Sequence, residues 1–114
     1  MPEVYRNEYL TINHDSAKLL NMFTKDVGRM EHFTGWTDDE IKSIQAPAFI
    51  VAGDRDVVTP EHAVEMARMI PHSRLAILPG AHGEYLGEAL FRGKHSREPD
   101  YFVDLVNAFL DNKQ

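Results

Sequence analysis

The sequence predicts an α/β fold in which a helix joins two parallel strands. Two short apolar runs, residues 48–52 and 75–78, end at Gly53 and at Pro79-Gly80. Continuous runs of this kind are typical of strands covered on both faces, so we expect both strands to be buried. Helix signals lie between the two runs and again after Pro99. A helix between two such strands makes a parallel crossover, which gives the order strand, helix, strand, loop, helix.

The N-terminal part of the chain has a helical pattern. From about residue 5 to residue 30, apolar side chains recur with a period near that of the α-helix, which favours an amphipathic helix with a candidate break at residues 13–16. Thr37-Asp38-Asp39-Glu40 then has the form of a capping box, in which the threonine and glutamate side chains satisfy free backbone donors. It predicts a short helix to about Ser43, with Ile41 and Ile44 facing the core.

Caps and apolar stripes predict two further helices. Thr59 stands directly before Pro60, a residue favoured at the first helical position, and Pro71 ends this helix. Its expected core-facing residues are Ala63, Met66, Ala67 and Ile70. Pro99 opens the last helix, for which the expected core-facing residues are Phe102, Leu105, Val106, Phe109 and Leu110.

Charge and composition exclude several classes of function. The 114 residues include 12 basic and 18 acidic side chains, a formal net charge of −6. This balance argues against duplex nucleic acid, because Lys and Arg contacts to phosphates supply most of the non-specific affinity. The absence of cysteine removes disulfides, thiol catalysis and zinc–thiolate sites. No apolar stretch approaches the ~20 residues of a membrane span, and no signal-peptide pattern opens the chain, so we expect a cytoplasmic protein with no membrane partner.

The polar residues that follow the two strands predict a site. The first strand leads into Gly53-Asp54-Arg55-Asp56 and the second into Pro79-Gly80-Ala81-His82. Loops that leave parallel strands emerge at one edge of the sheet, so Asp56 and His82 should be neighbours. An aspartate that accepts a hydrogen bond from one ring nitrogen fixes the histidine tautomer and leaves the other nitrogen free as a general base.

Residues 44–60 carry a motif shared by members of one enzyme superfamily. They read Ile-x-Ala-Pro-x-x-Ile-Val-x-Gly-Asp-x-Asp-x-Val-x-Pro. With Pro79-Gly80-Ala81-His82 and the closing Phe109-Leu110, the chain resembles the C-terminal part of the α/β-hydrolase superfamily over about residues 37 to 111. The resemblance implies that residues 37–114 form part of an α/β-hydrolase fold and that residues 1–36 are a helical cap-like segment. It further implies that Asp56 is the catalytic acid and His82 the catalytic base.

The nucleophile of that superfamily is missing from the sequence. It lies on a Gly-x-Ser-x-Gly turn earlier in the chain than the acid and the histidine, and no such motif occurs here. The serines are Ser16, Ser43, Ser73 and Ser96, and none ends a predicted strand. We therefore expect the chain alone to be inactive.

Other polar residues near the site have simpler interpretations. Asp54 is expected to accept backbone donors in the turn, and Glu84 to bond either His82 or a neighbouring loop. A metal site built from His82, His95 and an acidic residue lacks the usual ligand spacing, so we expect no metal and no cofactor. Residues 92–97 are expected to form a solvated connection, with phosphate binding as the weaker alternative. The remaining histidines are expected at the surface.

Two functional hypotheses follow. In the first, the chain is the C-terminal part of a hydrolase of ester or amide bonds, active only when an N-terminal half supplies the nucleophile. In the second, it is a non-catalytic domain that self-associates and binds a small ligand or a partner. Both predict a homo-oligomer or a complementing chain, because a sheet of two strands leaves apolar edges unpaired.

Overall fold

A computed structural model describes residues 1–91 and 97–112 and shows a mixed α/β chain with two parallel strands. The elements are α1 (Glu3–Ile12), α2 (Ser16–His32), α3 (Asp38–Lys42), β1 (Ala48–Gly53), α4 (Pro60–Met69), β2 (Ser73–Leu78) and α5 (Glu98–Asp111). Two short 3-10 helices, Glu84–Leu86 and Ala89–Phe91, follow β2. The chain divides into two compact units, Met1–Gly35 and Trp36–Gln114.

The first unit consists of the helices α1 and α2. The predicted break is confirmed, since residues 13–15 separate the two helices. Asp15 caps α2 because its carboxylate accepts the backbone N–H groups of Ala17 and Lys18, at 3.0 and 3.1 Å. Leu19 is buried, but five other apolar side chains of α2 remain exposed, namely Leu20, Met22, Phe23, Val27 and Met30. The helix is therefore amphipathic with most of its apolar face uncovered.

The second unit is built on the parallel pair of strands. β1 and β2 run side by side from Ala48 opposite Ser73 to Gly53 opposite Leu78. The helix α4 connects them and packs against both. Its predicted core-facing stripe is confirmed, with two residues buried and two half-buried: Ala63 and Ile70, then Met66 and Ala67. The cap at Thr59 is also confirmed, because its hydroxyl accepts the His62 N–H at 3.2 Å.

The expectation that both strands are buried on both faces was wrong. In β1 only Ala52 and Gly53 are buried, and β2 has no buried residue. Leu75 and Ile77, two positions apart and thus on one face of β2, are 38% and 36% exposed. An apolar run indicates that burial of a strand is favourable, but burial also requires other strands or helices that pack on it. A two-stranded sheet has few of these.

The predicted helix α3 is confirmed with its capping box. The Thr37 hydroxyl accepts the Glu40 N–H at 3.2 Å, and the Glu40 carboxylate accepts the Thr37 N–H at 2.7 Å. Ile41 is half-buried as expected, whereas Ile44 is 37% exposed, so its predicted core position was wrong. A helix of five residues has too little surface to cover both side chains.

The helix α5 contributes less to the core than its pattern predicts. Phe102, Val106 and Phe109 are half-buried, and the Phe109 ring stacks on Phe49 of β1 with 5.3 Å between ring centroids. Leu105 and Leu110 are 37% and 69% exposed, which corrects their predicted positions. Leu110 follows Phe109 directly and so points about 100° away from it around the helix. Across residues 1–91 and 97–112, no helix is long and apolar enough to cross a membrane.

Candidate active site

The loops that follow β1 and β2 meet at the carboxyl edge of the sheet and bring Asp56 and His82 together. Nδ1 of His82 lies 2.9 Å from Oδ1 and 3.1 Å from Oδ2 of Asp56. The two side chains differ in exposure, because that of His82 is 75% exposed and that of Asp56 only 5%. The carboxylate therefore lies beneath the ring, and the ring faces solvent.

The position of the His82 proton follows from this contact. An ionised carboxylate only accepts hydrogen bonds, so the Nδ1 atom that faces it must carry a proton and donate it. In the neutral ring the second nitrogen, Nε2, then has a free lone pair. The arrangement can accept a proton at Nε2, and the carboxylate stabilises the positive ring that results.

Backbone groups hold the Asp56 carboxylate in its ionised form. Its Oδ1 atom accepts the Val58 N–H at 3.2 Å, the bond of an Asx turn. Burial alone would raise the pKa of Asp56, but the Val58 and Val57 backbone groups and the hydrogen bond and charge of His82 outweigh it, so the pKa lies below its usual value. Asp56 thus remains a negative partner for the ring across the neutral pH range.

A second aspartate ties the two loops to each other. Oδ1 of Asp54 accepts the Gly80 N–H at 2.8 Å, and the Gly80 carbonyl accepts the Arg55 N–H at 3.0 Å. The expected structural role of Asp54 is confirmed, although its donor comes from the opposite loop. Gly53 permits this close approach, because a Cβ atom there would overlap the Gly80 carbonyl oxygen. The chain after β1 is therefore fixed to the chain after β2 just before the two site residues.

Glu84 stabilises the loop that carries His82. Its Oε2 atom accepts the Ala81 N–H at 2.8 Å, and its own N–H donates to the Ala81 carbonyl at 3.2 Å. Neither predicted partner, His82 or a neighbouring loop, is the one observed, because Ala81 belongs to the same loop as Glu84 and directly precedes His82. Gly83 is buried between these residues with φ 72°, a left-handed conformation that side-chain-bearing residues rarely adopt. The turn after His82 is thereby fixed by one glycine and one carboxylate.

Tyr85 is a residue near the site that sequence reasoning missed. Its hydroxyl donates to the Val51 carbonyl of β1 at 3.4 Å, and its ring lies 5.1 Å from the Phe102 ring of α5. Burial, and then the charge of Asp56, raise the pKa of the Tyr85 phenol. The sequence offered one signal for it, an aromatic residue only three positions after His82.

The serines of the second unit that the structure describes are engaged elsewhere. The Ser43 hydroxyl donates to the Glu40 carbonyl at 2.6 Å, and the Ser73 hydroxyl donates to the Ala67 carbonyl. Ser73 begins β2, so about 16 Å of strand separates it from the edge where His82 lies. Ser16 belongs to the first unit, and Ser96 lies outside the described residues. Within the described part of the second unit, neither serine is therefore placed as a nucleophile for His82.

Potential metal ligands are not clustered in the part of the chain that the structure describes. Among the described residues no group of three or more His, Asp or Glu side chains could hold a metal ion. His95, one ligand of the metal site that the sequence disfavoured, lies outside those residues, as do residues 92–96 of the predicted connection over residues 92–97.

The site therefore consists of a buried carboxylate, an exposed imidazole and two loops locked to each other at the edge of a parallel sheet. Neither a protein-family model nor a curated protein nor a solved structure matches the chain.

Proposed function

We propose that this chain is the C-terminal part of an α/β-hydrolase-type fold and contributes its acid and base, Asp56 and His82. The observation that carries the proposal is the 2.9 Å contact between His82 Nδ1 and the Asp56 carboxylate. The contact joins the loops at the carboxyl edge of two parallel strands, where ligands of open α/β sheets bind. The motif over residues 44–60 and the histidine after Pro79-Gly80-Ala81 support the same proposal.

The proposed chemistry is acyl transfer from an ester or amide. A hydroxyl group supplied by another chain attacks the carbonyl carbon, and His82 Nε2 takes the hydroxyl proton. The Asp56 carboxylate stabilises the positive ring during this step. The protonated ring then gives its proton to the departing alcohol or amine as the carbonyl bond to that group breaks. His82 returns to its starting form, so the dyad is regenerated.

An external alcohol provides a test that does not depend on the missing nucleophile. Methanol can stand in for the supplied hydroxyl, with p-nitrophenyl acetate as the acyl donor and methyl acetate and p-nitrophenol as products. We expect methanol to increase p-nitrophenol release by the wild-type chain, and we expect His82→Ala to abolish this increase.

The matched control is His62→Ala, because His62 is an exposed histidine of α4 whose Nδ1 lies 4.0 Å from Glu65. This variant should keep the methanol-dependent rate. Equal rates in the wild-type chain and in His82→Ala would contradict the proposal.

The second candidate function is a non-catalytic domain that completes its core by self-association. One observation favours it: Leu75 and Ile77 on one face of β2 are more than a third exposed. A partly uncovered apolar sheet face is a typical contact surface between chains. The two candidates are compatible, since a partner that covers the sheet can also supply the nucleophile.

A further inference from the structure

Tyr85 anchors the segment after His82 to two other parts of the second unit. It lies in the 3-10 helix Glu84–Leu86, which packs against α5. Its ring and the Phe102 ring are tilted by 59° with 5.1 Å between centroids, and its hydroxyl reaches the Val51 carbonyl at 3.4 Å. One side chain therefore connects the His82 loop to a strand and to a helix.

The orientation of His82 depends on this loop because the ring itself has little packing. Its side chain is 75% exposed, so few neighbours restrict it apart from Asp56. The backbone turns immediately afterwards at Gly83, which has φ 72°. An exposed ring that is held only by its hydrogen bond to a carboxylate stays aligned with that carboxylate only if the backbone on each side of the histidine is fixed. Asp54 fixes the preceding side through Gly80. On the following side Glu84 closes the turn within the loop, and Tyr85 attaches that turn to β1 and α5.

We propose that Tyr85 is a positioning residue that holds His82 in place on the Asp56 carboxylate. Its ring packs on Phe102, and its hydroxyl donates to the Val51 carbonyl, so these two contacts oppose a shift of the residues between it and His82 relative to β1 and α5. Any consequence for hydrolysis rests on the function proposed above. The positioning itself is a property of the His82 hydrogen bond and can be measured without substrate.

The electrostatics of the phenol agree with this placement. The pKa of Tyr85 is raised by burial and, to a smaller degree, by the negative charge of Asp56. The phenol is therefore protonated and remains a hydrogen-bond donor at neutral pH.

The test compares Tyr85→Phe with Tyr101→Phe. Tyr85→Phe removes one hydroxyl and keeps the ring against Phe102, and Tyr101→Phe makes the same change at a residue of α5 that is 47% exposed. The measurement is the exchange rate of the His82 Nδ1 proton with water, followed by NMR on 15N-histidine. We expect exchange about two- to tenfold faster in Tyr85→Phe, the range set by one neutral hydrogen bond, and unchanged exchange in Tyr101→Phe.

An unchanged exchange rate in Tyr85→Phe would overturn the proposal. If the wild-type chain shows no methanol-dependent ester cleavage but exchange is faster in Tyr85→Phe and unchanged in Tyr101→Phe, only the hydrolase proposal fails.

Discussion

His82 and Asp56 lie 26 positions apart in the sequence, and yet His82 Nδ1 is 2.9 Å from the Asp56 carboxylate. The contact exists because β1 and β2 are parallel and both loops leave the same edge of the sheet. The Asp54 bond to Gly80 then fixes the distance between the loops. A buried acceptor beneath an exposed ring is an arrangement that orients a base without hiding it from a reacting group.

The Asp56 carboxylate should make His82 more reactive than His62 towards diethyl pyrocarbonate. Diethyl pyrocarbonate acylates the unprotonated ring nitrogen, Nε2. The negative charge of Asp56 increases the nucleophilicity of this nitrogen, and Asp56→Asn removes that charge. At a pH where the ring is neutral in both proteins, we expect His82 to be modified about three- to tenfold more slowly in the variant, the size of one charge-assisted hydrogen bond at an exposed ring. Mass spectrometry gives the rate relative to His62, which is 56% exposed and serves as the internal control. An unchanged ratio would argue against the pairing.

The depressed pKa of Asp56 predicts a loss of stability in acid. Its folded-state pKa lies below the unfolded value of 3.8, so below neutrality the unfolded chain binds more protons at this site. The contribution of Asp56 is therefore present above pH 3.8 and is lost as the pH falls through the folded-state pKa. Urea denaturation at several pH values should show the stability difference between the wild-type chain and Asp56→Asn shrinking in acid.

The control for this pH dependence is Asp104→Asn, at an exposed position of α5. This variant should follow the wild-type curve throughout. A difference between the wild-type chain and Asp56→Asn that stays constant with pH would show that the carboxylate has no preferential stabilisation in the folded state.

The close approach of the two loops predicts that Gly53 does not tolerate a side chain. The added methyl group of Gly53→Ala would overlap the Gly80 carbonyl, and we expect a cost of about 1–3 kcal/mol in the free energy of unfolding. Gly28→Ala in α2 is the matched control, because a Cβ atom there meets nothing within 4 Å. That change should stabilise its helix by up to about 1 kcal/mol. If the two variants are equally stable in urea, the loops do not meet as described.

The exposed face of β2 predicts association in solution. Light scattering at micromolar concentration should give a mass that is a multiple of the 13.0 kDa chain. Ile77→Lys places a charge on that face and should lower the mass, whereas Val103→Lys changes an α5 residue that is already 55% exposed and should leave it unchanged. A 13.0 kDa monomer that unfolds cooperatively would contradict the predicted self-association.

Local features of the fold could be predicted because their causes are local. The capping box at Thr37 and the cap at Thr59 each depend on residues within three positions, and both are observed. The proximity of Asp56 and His82 needed one further step, the geometry of a parallel crossover. That step also follows from the order of the elements alone.

Burial and tertiary contacts, which depend on how separate elements pack together, could not be predicted from the sequence. Leu75 and Ile77 have the pattern of buried strand residues, but their burial requires neighbours that a two-stranded sheet does not provide. The role of Tyr85 depends on the separation of its ring and Phe102 in space, and no sequence period relates the two residues. The bond from Asp54 to the opposite loop also depends on tertiary geometry.

The measurement that tests the central claim most directly is the 15N NMR spectrum of the His82 ring at a pH where the ring is neutral. If Asp56 fixes the tautomer, Nδ1 carries the proton and Nε2 shows the chemical shift of an unprotonated nitrogen, and Asp56→Asn changes this distribution. A wild-type spectrum with the proton on Nε2, or with the averaged tautomers of a free imidazole, would contradict the assignment of Asp56 and His82 as an acid–base pair.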